Sequence, residues 1–148
     1  MNTLKPYKIF LVLVLIAIVS VFSFFSRMYR NDINALEHFV ASYEQFNTAI
    51  SNFSQNKTIT EEAQADDALI ELSTAASFRL SSLIKNEKQV MILAREIADL
   101  SAKEFESLKV YTNTEKSNTD RNRLAQEYSA LTEKRKAAYR AFRSLGSE

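Results

Sequence analysis

Residues 83–90 read Leu-Ile-Lys-Asn-Glu-Lys-Gln-Val, and whether a helix crosses this stretch or turns within it decides the fold. Apolar residues on both sides keep nearly unbroken heptad register: Leu69, Leu72, Ala76, Leu80 and Leu83 before it, Val90, Leu93, Ile97 and Leu100 after it. Periodicity alone makes these one helix of about fifty residues, half of a coiled coil. The stretch from Lys85 to Lys88 is nonetheless polar throughout, and Asn86 followed by Gln89 is a helix-start signal. What separates the two readings lies upstream.

Residues 9–25, IFLVLVLIAIVSVFSFF, contain no charge, no Gly and no Pro, and only Ser20 and Ser23 are polar. As a helix rising about 1.5 Å per residue, this run with its flanks spans a hydrocarbon core of about 30 Å. Lys5 and Lys8 precede it, Arg27 and Arg30 follow it, and Tyr7 and Tyr29 stand where interfacial aromatics belong. The reading is a single transmembrane anchor over 9–26 behind a short basic tail over 1–8. A cleaved signal peptide would share the basic start, with a cut near Val21-Phe22-Ser23. The apolar run is longer than a usual signal core, however, and bulky Phe residues crowd that cut. Positive charges are nearly matched across the span. A short basic tail held in the cytosol places the larger domain on the extracytoplasmic side, periplasmic or extracellular.

The anchor resolves the stretch at 83–90. A helix leaving the bilayer at Arg27 and running to Phe53 climbs about 40 Å, so one returning from Thr60 is back at the surface near Lys85. Continuing straight would drive Glu87, Lys88 and Arg95 into lipid at about 3 kcal/mol each. A turn is therefore expected at 85–88. The expected fold class is all-α: an N-terminal single transmembrane helix continuing into an antiparallel up-down-up-down four-helix bundle over 27–148. Its helices fall at about 27–53, 60–85, 87–111 and 119–145, nearly equal in length with short loops. The alternative is a helical hairpin with one long continuous central helix, a coiled coil in which Asn86 is a buried register marker.

Composition supports helices throughout. The single Pro is Pro6 and the single Gly is Gly146, so nothing between them normally punctuates a chain, and strands joined by tight turns would want both. The first helix carries Ile33, Leu36, Phe39, Val40, Tyr43, Phe46, Ile50 and Phe53 as one broad core stripe. Thr58-Ile59-Thr60-Glu61 reads as a capping box, with Glu61, Glu62, Asp66 and Asp67 at the positive end of the helix dipole. Phe105 and Leu108 extend the third stripe. Residues 112–119 form a polar loop in which Ser117 or Thr119 caps the last helix. That helix presents Leu124, Tyr128, Leu131, Ala138, Phe142 and Leu145, then frays at Gly146.

This topology gathers charge. Arg27, Arg30, Lys85, Lys88, Lys134, Arg135, Lys136, Arg140 and Arg143 would form a basic collar at the membrane, with the acidic cluster at the far end. Such a collar attracts anionic head groups by about 1 kcal/mol per residue close to the surface. The plainer reading of the C-terminal cluster is that basic residues complement a helix C-terminus. Net charge is +1, and only one helix is basic, so no nucleic acid is expected as a partner.

Catalytic chemistry has little to work with. There is no Cys, which removes thiol nucleophiles, disulfides and Cys-type zinc. His38 is the only imidazole, with Glu37 beside it but no Glu three residues before it, so the di-metal carboxylate pattern is missing. A phosphate loop needs glycines this chain lacks. The expectation is a non-enzyme without cofactor or metal. Asn52-Phe53-Ser54 and Asn56-Lys57-Thr58 match the glycosylation sequon, a match short enough to arise by chance.

The layout of an N-terminal anchor and a helical bundle resembles that of LemA-type membrane proteins and of the sensor half of bacterial chemoreceptors. No motif of either can be placed residue by residue, and neither family is assigned. The function expected is a single-pass membrane-anchored helical interaction module: a scaffold, adaptor or accessory subunit. It would meet the lipid bilayer and a protein partner or a second copy of itself. Its rivals are a small-molecule-sensing bundle with a pocket among Asn34, His38 and Tyr43 or Arg79, and an elongated coiled-coil tether of spanin or division-protein type.

Overall fold

A computed structural model describes residues 6–113 and 118–145, with side chains over 11–113 and 120–145. The start of the basic tail with Lys5, the middle of the polar loop with Ser117, and Gly146 lie outside the described residues. The chain is all-helical among those residues: α1 Pro6–Asn56, α2 Ile59–Ala75, α3 Glu87–Thr112 and α4 Asn118–Leu145.

α1 is described from Pro6 onward. No helix breaker follows, and the helix runs 51 residues. Its two halves meet different surroundings. From Leu11 to Phe25 every side chain is exposed. Among the described residues this is the one helix long and apolar enough to cross a membrane, and its apolar stretch lies close to the N-terminus. Further on, Phe39, Tyr43, Phe46, Ile50 and Phe53 are buried at the three- and four-residue spacing of one helix face.

The α1–α2 link is two residues long. Lys57 takes the left-handed conformation at φ 55° and its N–H reaches the Phe53 carbonyl at 2.9 Å, closing α1 without the usual glycine. Thr58 caps α2, its hydroxyl accepting the Glu61 N–H at 3.3 Å. The Glu61 carboxylate accepts the Asn56 side-chain amide at 2.9 Å, tying the two helix ends together.

The second helix ends ten residues before the expected boundary at 85. Ala76 and Ser77 close it through bonds to Leu72 and Thr74 carbonyls, and residues 77–86 form an irregular strap. The cause is tertiary. Asp32, buried on α1, accepts the Ser81 N–H at 3.2 Å and also the Ser81 hydroxyl. Within a helix that N–H would be committed to a backbone carbonyl. Asp32 needs donors more than α2 needs nearly three further turns. The continuous central helix is likewise corrected: Asn86 sits at φ 59° ahead of α3, in a left-handed conformation no helix interior holds. Its side chain makes no capping bond, so it acts as a turn through its backbone.

Side-chain size sets how closely helices approach. The aromatic face of α1 meets Ala65, Ala68, Leu72 and Ala75 on α2, large against small, and their backbones come close. Toward α4 large meets large: Phe39 packs on Phe142 with centroids 4.8 Å apart, and Tyr43 stacks on Tyr139 at 3.7 Å. No Cα atoms of α1 and α4 come within 8 Å among the described residues. In both pairs numbering rises on α1 as it falls on α4, whereas Phe53–Phe105 on α1 and α3 and Lys57–Tyr111, from the link just past α1 to α3, rise together.

Candidate functional site

The polar centre of the domain lies where α1, α3 and α4 meet. Glu104 and Arg135 are 0% and 1% exposed and form an ion pair, Arg135 Nε and Nη2 both donating to the carboxylate. Nη2 also donates to Asn47 Oδ1 at 3.1 Å, and the Thr132 hydroxyl donates to Glu104 Oε1 at 2.7 Å. The guanidinium lies 5.2 Å from the Tyr43 ring centroid and 5.5 Å from that of Phe46, so two aromatic faces take part of its charge. Burial pushes the Tyr43 phenol above its ordinary pKa, while the Arg135 charge pulls the other way. Arg135 Nη1 has no partner among the described residues. The chemistry here is positional. A one-turn slip of α4 would strand two opposite charges in an apolar core.

The expected basic collar is brought together only in part. Arg27 and Arg30 are exposed on α1 just below Asp32, and Lys85 and Lys88 flank the strap's end beside it. Arg140 and Arg143 lie exposed on the last turns of α4, near Phe142 and hence near the level of Phe39. Arg135 is corrected outright: it is core, neutralised by Glu104 and closed to solvent. Lys134 and Lys136 are exposed but flank Arg135, level with Asn47, about 25 Å along α1 from Arg30. Lys136 pairs with Glu133 at 3.7 Å. The acidic residues Glu61, Glu62, Asp66 and Asp67 stand at the opposite end, beside the α1–α2 link.

The residues of the expected ligand pocket face apart. His38 turns toward α2, where Nε2 lies 3.3 Å from Glu71 Oε1 with both side chains about half exposed, whereas Tyr43 turns toward Tyr139 on α4. Arg79 is exposed on the strap. Among the described residues, no group of three His, Cys, Asp or Glu side chains is placed to hold a metal ion.

Asp32 and Glu104 escape a reading by hydropathy because both are charged. Position carried the signal: Glu104 falls seven residues after Ile97, and Arg135 four after Leu131 and three before Ala138, squarely on apolar stripes. Asp32 makes the strap conditional. Asp32→Ala leaves the Ser81 N–H and hydroxyl without their acceptor at a cost of about 1–3 kcal/mol. Hydrogen exchange should show amides 77–86 losing protection while α3 keeps its own. Equal loss in both would mean Asp32 supports the whole domain and not the strap.

Compared with models of protein families, with curated proteins and with solved structures, the chain matches none.

Proposed function

We propose that the protein is a single-pass, membrane-anchored helical interaction module, a scaffold or accessory subunit without catalytic chemistry of its own. In this reading the four helices form an up-down-up-down bundle on the extracytoplasmic side, standing on a membrane span at 9–26. The observation that carries it is the continuity of α1. One helix without Gly or Pro after its first residue holds both the exposed apolar segment and the aromatic core stripe. A domain joined to its anchor by unbroken helix keeps a fixed face to the bilayer, which suits presenting a surface and not sampling solvent on a flexible linker. Exposed apolar residues on outer faces, Ile70 at 59% on α2 and Ile92 at 62% on α3, offer points of contact.

Absence of cysteine makes the test direct. The full chain should resist alkaline carbonate extraction. In intact cells Ser51→Cys should react with a membrane-impermeant maleimide and Asn2→Cys should not. A photo-crosslinking residue at Tyr29, Ile70 or Ile92 should give discrete protein adducts in native membranes. A chain that stays in the membrane yet gives no protein adduct from any of them would sink the interaction reading.

A further inference from the structure

We propose that a second copy of this chain docks, side by side and parallel, on the α1 face formed by Phe22, Phe25, Tyr29, Ile33, Leu36 and Val40. The proposal rests on the membrane-anchored reading and names its partner. These residues recur at intervals of three and four, so they make one stripe along the helix. It crosses from the apolar segment into the domain without interruption. Phe22, Phe25 and Tyr29 are exposed at 73%, 45% and 50%, and Ile33, Leu36 and Val40 are partly covered.

Above Ile33 the stripe becomes one wall of a groove. Bulky aromatics hold α4 away from α1, and the space left between them is a cleft of about 380 Å³ lined by Ile33, Leu36, Glu37, Val40, Phe142 and Arg143. Since Phe142 packs on Phe39, helix α4 ends at Leu145 roughly level with Leu36. Lower down, the described residues of α4 do not reach Tyr29.

Charge selects the occupant. The α1 wall carries Glu37 and Glu44, and the α4 wall carries Arg143, with Arg140 and Lys136 following at helical spacing. Arg143 also serves Tyr139 within its own copy, and the proposal does not need it to be unengaged. A two-fold axis parallel to α1 sets the acidic wall of one copy against the basic wall of the other, at the same height. Self-complementarity of this kind is a requirement of an isologous contact and of no other. Lipid is the poorer occupant: Val40 lies about 22 Å beyond Phe25 along the helix, past the head-group layer of about 6 Å. Two anchored copies are already parallel and level, so a weak contact suffices at the high effective concentration of a membrane.

The test uses single-cysteine variants of the full chain in native membranes. Under mild oxidation Tyr29→Cys and Ile33→Cys should give disulfide-linked dimers, and Ser73→Cys on the outer face of α2 should not. Glu37→Arg with Glu44→Arg should lower the dimer yield about tenfold, and adding Arg140→Glu with Arg143→Glu should restore it. Because these four side chains are exposed or at the rim, an unchanged melting curve shows the variants are folded. A chain retained in membranes without a Tyr29→Cys dimer, or with an equal dimer from Ser73→Cys, overturns this proposal alone. A chain released by alkaline carbonate overturns the anchored reading with it.

Discussion

Arg135→Ala is expected to destabilise the domain by about 3–5 kcal/mol, because it leaves the Glu104 carboxylate buried with no counter-charge. Asn47 and Tyr43 lose a partner at the same time, since one guanidinium serves all of them. Glu104→Leu combined with Arg135→Met should return to wild-type stability or exceed it, as an apolar pair carries no desolvation penalty. Urea unfolding of the full chain in nanodiscs, followed by circular dichroism, reads both. If the double variant stays as unstable as the single, the network holds the fold by shape and not by charge. If Arg135→Ala costs under about 1 kcal/mol, solvent reaches Glu104 and the pair is not the core element described.

The pair also explains which parts of the architecture were legible in the sequence. Helical class followed from one Gly and one Pro at the margins, and the apolar segment from a run with no charge. Thr58 declared a helix start because capping is local chemistry, read within four residues. Tertiary polar contacts were not legible in the same way. Asp32 and Ser81 lie 49 residues apart, and nothing in either neighbourhood names the other. That one contact holds the chain after Ala75 in an irregular strap that reaches the turn at Asn86, where heptad register alone would have continued α2. Arg135 misled for a related reason. Between Lys134 and Lys136 it reads as part of a basic surface run, yet helical periodicity turns neighbours 100° apart, so one of three adjacent residues can be core while the others are solvated. Its stripe position was visible. Its partner, 31 residues earlier on another helix, was not.

The second large effect is expected at Phe39, fully buried where three parts of the chain meet. Its ring packs edge-on against Phe78 of the strap at 5.9 Å and tilted against Phe142 of α4 at 4.8 Å. Phe39→Ala should cost about 3–5 kcal/mol through lost burial and the cavity left behind. Phe53, equally buried on the same helix, touches Phe105 near the other end, so Phe53→Ala should cost about as much globally. The two should differ in where the loss falls. Removing Phe39 takes support from the strap and from the end of α4 together, so amides 77–86 should exchange faster than the global unfolding rate. The proposed docking cleft, which has Phe142 as part of its wall, should lose shape with them. Removing Phe53 should leave strap protection tracking global stability and leave the Tyr29→Cys crosslink in place. Equal opening of the strap by both variants would show that this end of the domain does not open as a local unit. Selective opening by Phe39→Ala would instead mean that one aromatic contact couples the strap to the proposed docking face.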